Sequence, residues 1–85
     1  MKIVVIGMGY VGLPLALLLS KKNTVIGYDI NSHKIKQLNK NIDITNEVNE
    51  KTFNSAKKIF FTNDQVYVKN ADFFIIAVPT PIKKN

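Results

Sequence analysis

Between an apolar run, Ile3 to Ile6, and a Leu- and Ala-rich stretch, Val11 to Leu19, the chain carries Gly7-Met8-Gly9-Tyr10-Val11-Gly12, a G-x-G-x-x-G spacing. Set between a strand and a helix, this spacing restricts the fold more than any other feature, because each glycine answers a separate steric demand. Gly7 is expected to make the tight turn out of the strand, Gly9 to let the backbone approach a pyrophosphate, and Gly12 to let the helix pack closely on the strand. The phosphates of such a ligand would lie on the helix N-terminus, facing N–H groups that lack intrahelical partners and the positive end of the dipole. Val11 to Leu19, rich in Leu and Ala, is expected to be a buried helix, and Pro14 is tolerated in it only because it falls near the first turn, where those N–H groups have no partner anyway.

The rest of the chain repeats the alternation. Ile3 to Ile6 is continuously apolar, as a strand buried on both faces of a parallel sheet must be. Thr24 to Asp29 is short and β-branched, the expected second strand. Asn31 or Ser32 can cap a helix whose apolar side is Ile35, Leu38 and Ile42, at i, i+3 and i+7. The pattern weakens from Asn39 to Ala56, where Glu47 to Ala56 is expected to form a short polar helix. Ile59 to Thr62 is a third strand, Asn63-Asp64 caps one or two helical turns, and Phe73 to Val78 is a fourth strand stopped by Pro79-Thr80-Pro81. Apolar strands alternating with helices imply right-handed crossovers and a parallel sheet, so residues 1–85 are expected to form a Rossmann-type α/β domain with strand order 3-2-1-4.

Asp29 lies at the end of the second strand, about 20 residues beyond the glycines, where a carboxylate can accept hydrogen bonds from the 2′- and 3′-hydroxyls of an adenosine ribose. The acid also selects the cofactor. A 2′-phosphate would be repelled by it and the chain contains no Arg to accommodate one, so NAD is favoured over NADP, with Lys34 the residue that keeps NADP open. FAD is the lesser alternative, since its enzymes share the fingerprint but need a much larger chain. Tyr10 either packs over the cofactor or covers the helix start. Thr80 sits beyond the carboxyl end of the fourth strand, where open α/β sheets bind ligands; the alternative is a turn threonine between two prolines. His33 is expected to be a solvated helix residue, Asp64 a cap and Asp72 a polar residue ahead of a strand.

Composition closes off other chemistries. With no cysteine and a single histidine, the chain can hold neither a disulfide framework nor a cysteine-ligated metal, and it has no thiol nucleophile. The net charge of +6 comes from 12 basic residues that are all Lys, whereas base-edge and bidentate phosphate recognition rests mostly on Arg. The lysines are spread along the sequence among abundant Asn and Ile, as an AT-rich coding sequence would favour, and no nucleic-acid partner is expected. No apolar run approaches the roughly 18 residues that span a bilayer, and the first strand is too short and glycine-stopped for a signal sequence. A cytoplasmic protein without a membrane partner is expected.

Gly7 to Ala16 (GMGYVGLPLA), Gly27 to Asn31 (GYDIN) and Ile75 to Pro81 (IIAVPTP) together resemble the N-terminal NAD-binding domain of the nucleotide-sugar (UDP-glucose/GDP-mannose) 6-dehydrogenase family. Asn41 to Val48 (NIDITNEV) resembles the bacterial UDP-N-acetylhexosamine branch, which acts on UDP-GlcNAc or UDP-GalNAc in capsule and O-antigen pathways. The resemblance implies oxidation of a sugar C6 alcohol to a carboxylate by two hydride transfers to two NAD, through a cysteine-bound intermediate. It implies that Gly9, Tyr10, Val11, Asp29, Lys34, Val78, Pro79 and Thr80 line the cofactor. Asn41 stands where relatives commonly have Gly, a place Asn can fill because it tolerates the left-handed conformation.

The resemblance further implies that the catalytic Cys, its Lys and Asn partners, the sugar-binding domain and a dimerisation helix lie beyond Asn85. The 85 residues are therefore expected to be inactive alone and to carry no catalytic residue. A free-standing, non-catalytic NAD-binding module is the alternative. Because the fourth strand would be an apolar sheet edge, self-association is expected.

Overall fold

The computed structural model describes residues 1–40 and 58–77. The expectations for Asn41, Ile42 and the helix from Glu47 to Ala56, and those for Val78, Pro79 and Thr80, lie outside the described residues.

The described elements are β1 (Lys2–Ile6), α1 (Gly12–Leu19), β2 (Thr24–Tyr28), α2 (Ser32–Asn39), β3 (Ile59–Thr62), a 3-10 turn (Gln65–Val68) and β4 (Phe73–Ile76). The four strands form one sheet in the order β3-β2-β1-β4, every neighbouring pair parallel. Val5 is level with Gly27 on one side and Ile75 on the other, so β1 is flanked on both sides and the glycine turn leaves from the sheet's interior. The fold is the Rossmann-type arrangement expected from the sequence.

Side-chain alternation along β1 divides the core. Ile3 and Val5 share one buried cluster with Leu13, Ala16 and Leu17 of α1 and Ile35 and Leu38 of α2, together with Val25 and Phe61. Both helices thus cover one face of the sheet. Val4 and Ile26, one residue out of phase, are buried on the opposite face, where the 3-10 turn packs and Tyr67 meets Phe60 edge to face at 5.0 Å between ring centroids.

Helix α1 differs from expectation in two respects. It begins at Gly12 rather than Val11, which serves as its N-cap without a side-chain hydrogen bond. It is also not buried all round: Leu13, Ala16 and Leu17 form the stripe that meets the sheet, while Leu18 points away and is 60% exposed. Of the two cap candidates for α2 it is Asn31 that serves, its side chain accepting from the Lys34 N–H at 3.0 Å, while Ser32 is the first helical residue. Strand β2 stops at Tyr28, one residue earlier than expected. The Asp29 carboxylate accepts from the Asn31 N–H two residues on, and this turn takes the chain out of the ladder.

The amino-terminal ends of β1 and β4 are held by a reciprocal pair. Asp72 Oδ2 accepts from the Lys2 N–H at 2.8 Å, and the Asp72 N–H donates to the Lys2 carbonyl at 2.8 Å. Among the described residues strand β4 is an edge, and its Phe73, Phe74 and Ile76 are exposed.

Candidate dinucleotide site at the carboxyl ends of the strands

The glycine turn is built as its spacing requires. Gly7 has φ 103°, in the left-handed region that favours glycine, and its N–H donates to the Tyr28 carbonyl at 2.7 Å, tying the turn to the end of β2. A Cβ on Gly12 would overlap the Gly7 carbonyl oxygen and stand 3.2 Å from the Ala77 Cβ. Only glycine lets α1 start this close to the turn and to the end of β4. Gly9 is the opposite case. A Cβ there would meet nothing within 4 Å, so the turn keeps an open side at the position where a ligand backbone would approach.

Above the turn, α1 offers an uncompensated N-terminus: its N-cap residue makes no side-chain hydrogen bond and no acidic residue lies in its first turn. Such a helix end favours an anion. Tyr10 and Val11 lie beside it and are 66% and 67% exposed. Both follow Gly9 directly in the chain and leave most of their surface open.

Asp29 joins this turn to β2. Its Oδ2 accepts from the Met8 N–H at 2.8 Å, its Oδ1 accepts from the Asn31 N–H at 2.9 Å, and the Lys34 ammonium stands 3.5 Å from Oδ2. Its own N–H donates to the Thr62 carbonyl at 3.2 Å. The carboxylate retains acceptor capacity beyond these contacts, since its two oxygens offer about four lone-pair sites. The structure therefore brings Gly7, Gly9, Tyr10, Val11, Gly12, Asp29 and Lys34 to one edge of the sheet. The Ala77 N–H donates to the Ile6 carbonyl at 2.7 Å, so β4 ends at this same edge; Val78, Pro79 and Thr80 are outside the described residues.

His33 is an exposed residue of α2, and Asp64 caps the 3-10 turn through the Val66 N–H at 3.0 Å. Two residues of the site carried no expectation. Met8, a filler position in the motif, is fully buried among the core residues. Gly27, the penultimate residue of β2, leaves the space the Met8 side chain occupies. A glycine inside a strand is a sign of close approach by another group, and that was the available signal.

The UDP-glucose/GDP-mannose dehydrogenase family model for the NAD-binding domain matches residues 1–85. Protein CapL of Staphylococcus aureus is 51% identical over 83 residues, covering 98% of this chain and 19% of CapL. The UDP-N-acetyl-D-glucosamine 6-dehydrogenase of Pseudomonas aeruginosa is 42% identical over 85 residues, all of this chain and 20% of that enzyme. Among solved structures, a ternary complex of the Pseudomonas aeruginosa GDP-mannose dehydrogenase superposes with a TM-score of 0.87 at 33% identity, over 99% of this chain and 21% of that one. The chain spans about a fifth of the length of the curated relatives it matches.

Proposed function

The chain belongs to the UDP-glucose/GDP-mannose dehydrogenase family, as its NAD-binding domain, and from that premise we propose that it holds NAD for the C6 oxidation of a UDP-N-acetylhexosamine. One observation carries the cofactor site. Gly9, where a Cβ would meet nothing within 4 Å, and the uncapped start of α1 share one edge with the Asp29 carboxylate. The open glycine and the helix end take the pyrophosphate, and Asp29 takes the adenosine ribose hydroxyls. Lys34 lies against that carboxylate, and Tyr10, Val11, Val78, Pro79 and Thr80 complete the lining. When bound, NAD supplies the hydride acceptor. This chain's residues bind and orient it.

The substrate class rests on likeness. The UDP-N-acetyl-D-glucosamine 6-dehydrogenases of Salmonella typhi and Pseudomonas aeruginosa, each 42% identical to this chain, support a UDP-N-acetylhexosamine converted to its uronate for polysaccharide precursor synthesis. Calorimetric titration of the purified chain with NAD tests the cofactor site, with Gly9→Ala as the variant expected to lose heat of binding. A wild-type chain that binds no NAD at millimolar concentration would remove the reading. The sugar is tested separately, by assaying the protein that carries this domain with UDP-GlcNAc, UDP-GalNAc and UDP-glucose. Faster turnover of UDP-glucose than of both acetylated sugars would overturn the branch.

A further inference from the structure

Gly27 is the penultimate residue of β2, paired with Val5 and Phe61, a place inside the ladder where glycine ordinarily weakens a strand. A Cβ there would stand 2.6 Å from Met8 Sδ and 2.8 Å from Phe61 Cδ1, well inside the roughly 3.5–4.0 Å at which non-bonded carbon atoms rest. Met8 is 0% exposed and Phe61 5%. Both are buried, so room for a methyl at residue 27 has to come from repacking within the core. Met8 differs from the other core residues in lying within the glycine turn itself, one position before Gly9.

Met8 is thus held at two points, one in β2 and one just past its end. Its side chain fills the space left by the missing Gly27 side chain, and its N–H is bound by Asp29 Oδ2 at 2.8 Å. We propose that Met8 is the positioning residue of the phosphate turn, and that Gly27 is required in β2 to seat it. A side chain at residue 27 pushes Met8 outward. Because Met8 is continuous with the turn, the backbone at Gly9 moves with it, away from the geometry a diphosphate needs. Displacements on the order of 1 Å suffice to spoil a preorganised site. The inference rests on the dinucleotide reading of the turn and adds to it the residue pair that sets the turn's shape.

The test is a cycle of Gly27→Ala, Met8→Val and the double variant, with Ile3→Val as a core deletion at the amino-terminal end of β1, the end opposite the turn. NAD affinity is read by calorimetry on protein shown to be folded, and turn order by hydrogen exchange of the Met8 and Gly9 amides. Met8→Val removes Sδ and opens space into which the methyl added at residue 27 and the Phe61 ring can settle. Gly27→Ala should weaken NAD binding about tenfold, and adding Met8→Val should restore much of that loss, a non-additivity expected only of groups in contact. Ile3→Val should leave affinity unchanged.

A folded Gly27→Ala with wild-type affinity, or strict additivity in the double variant, overturns the proposal. If Gly27→Ala does not fold, Met8→Val alone decides: weaker NAD binding with faster Met8 amide exchange supports the pairing, and neither change refutes it. If the wild type binds no NAD, the dinucleotide reading fails, and the exchange rates still judge whether Met8 holds the turn.

Discussion

The main-chain N–H of Met8 donates to Asp29 Oδ2 at 2.8 Å, across 21 residues of sequence. The carboxylate expected to recognise a ribose therefore also fixes the turn expected to receive the phosphates. Any change at Asp29 acts on both halves of the site, and only a comparison of two cofactors separates the effects.

Asp29→Ala should raise the dissociation constant for NAD by about ten- to a hundredfold, roughly 1.4–2.8 kcal/mol. Part of that loss comes from the slackened turn, which serves either cofactor. The ribose contribution shows in the ratio: NADP should lose less than NAD, or gain, because Lys34, 3.5 Å from Oδ2 in the wild type, then faces the 2′-phosphate unopposed. Dissociation constants for both cofactors, measured at one salt concentration, check this. An unchanged NAD-to-NADP ratio would leave Asp29 only its hold on the turn.

Gly9→Ala and Gly12→Ala should fail in different ways. At Gly9 the added methyl meets open space and φ lies outside the left-handed region, so the thermal midpoint should stay near wild type while NAD binding falls. At Gly12 the methyl would overlap the Gly7 carbonyl. Overpacking of that kind costs about 1–3 kcal/mol or more, and both stability and binding should suffer. Thermal melts paired with NAD titrations distinguish the two. A Gly12→Ala protein as stable as wild type would contradict the packing described.

Self-association should follow from β4. Among the described residues its outer edge has no neighbouring strand, and Phe73, Phe74 and Ile76 are 54%, 52% and 71% exposed. Apolar edges of this kind pair with other chains unless charged. Sedimentation of the 85-residue chain should show concentration-dependent association that Ile76→Lys reduces. A strictly monomeric wild type, with β4 amides exchanging as fast as exposed loops, would count against it.

The 85-residue chain alone should not oxidise UDP-GlcNAc, UDP-GalNAc or UDP-glucose. It contains no cysteine to form a covalent sugar adduct, and hydride transfer needs the sugar held in near-attack geometry by groups the resemblance assigns to other parts of the family's enzymes. Absorbance of NADH at saturating NAD is the assay. Sustained production by the pure chain would overturn the expectation.

Much of the architecture could be read along the chain. Strand order, parallel pairing and a cap for α2 at Asn31 or Ser32 follow from periodicity, punctuation and handedness, which act over a few residues. The roles of Gly7 and Gly12 were equally legible, since a turn with φ 103° and a helix start packed against that turn leave no other residue type. Less legible were contacts between distant segments. Asp72 looked like a polar residue ahead of a strand; in the fold it exchanges two hydrogen bonds with Lys2 and joins β4 to β1. The Leu run of α1 suggested full burial, yet one stripe faces the sheet and Leu18 does not.

The sequence by itself determined that a glycine turn would stand between a buried strand and a helix, with an acid at the end of the next strand. Those are local demands of backbone sterics and hydrophobic pattern. Tertiary structure decided how the turn and the acid are joined. Met8, Gly27, Asp29 and Lys34 come together only when β2 lies in register beside β1, because a hydrogen bond or a steric vacancy depends on positions in space that no spacing along the chain records.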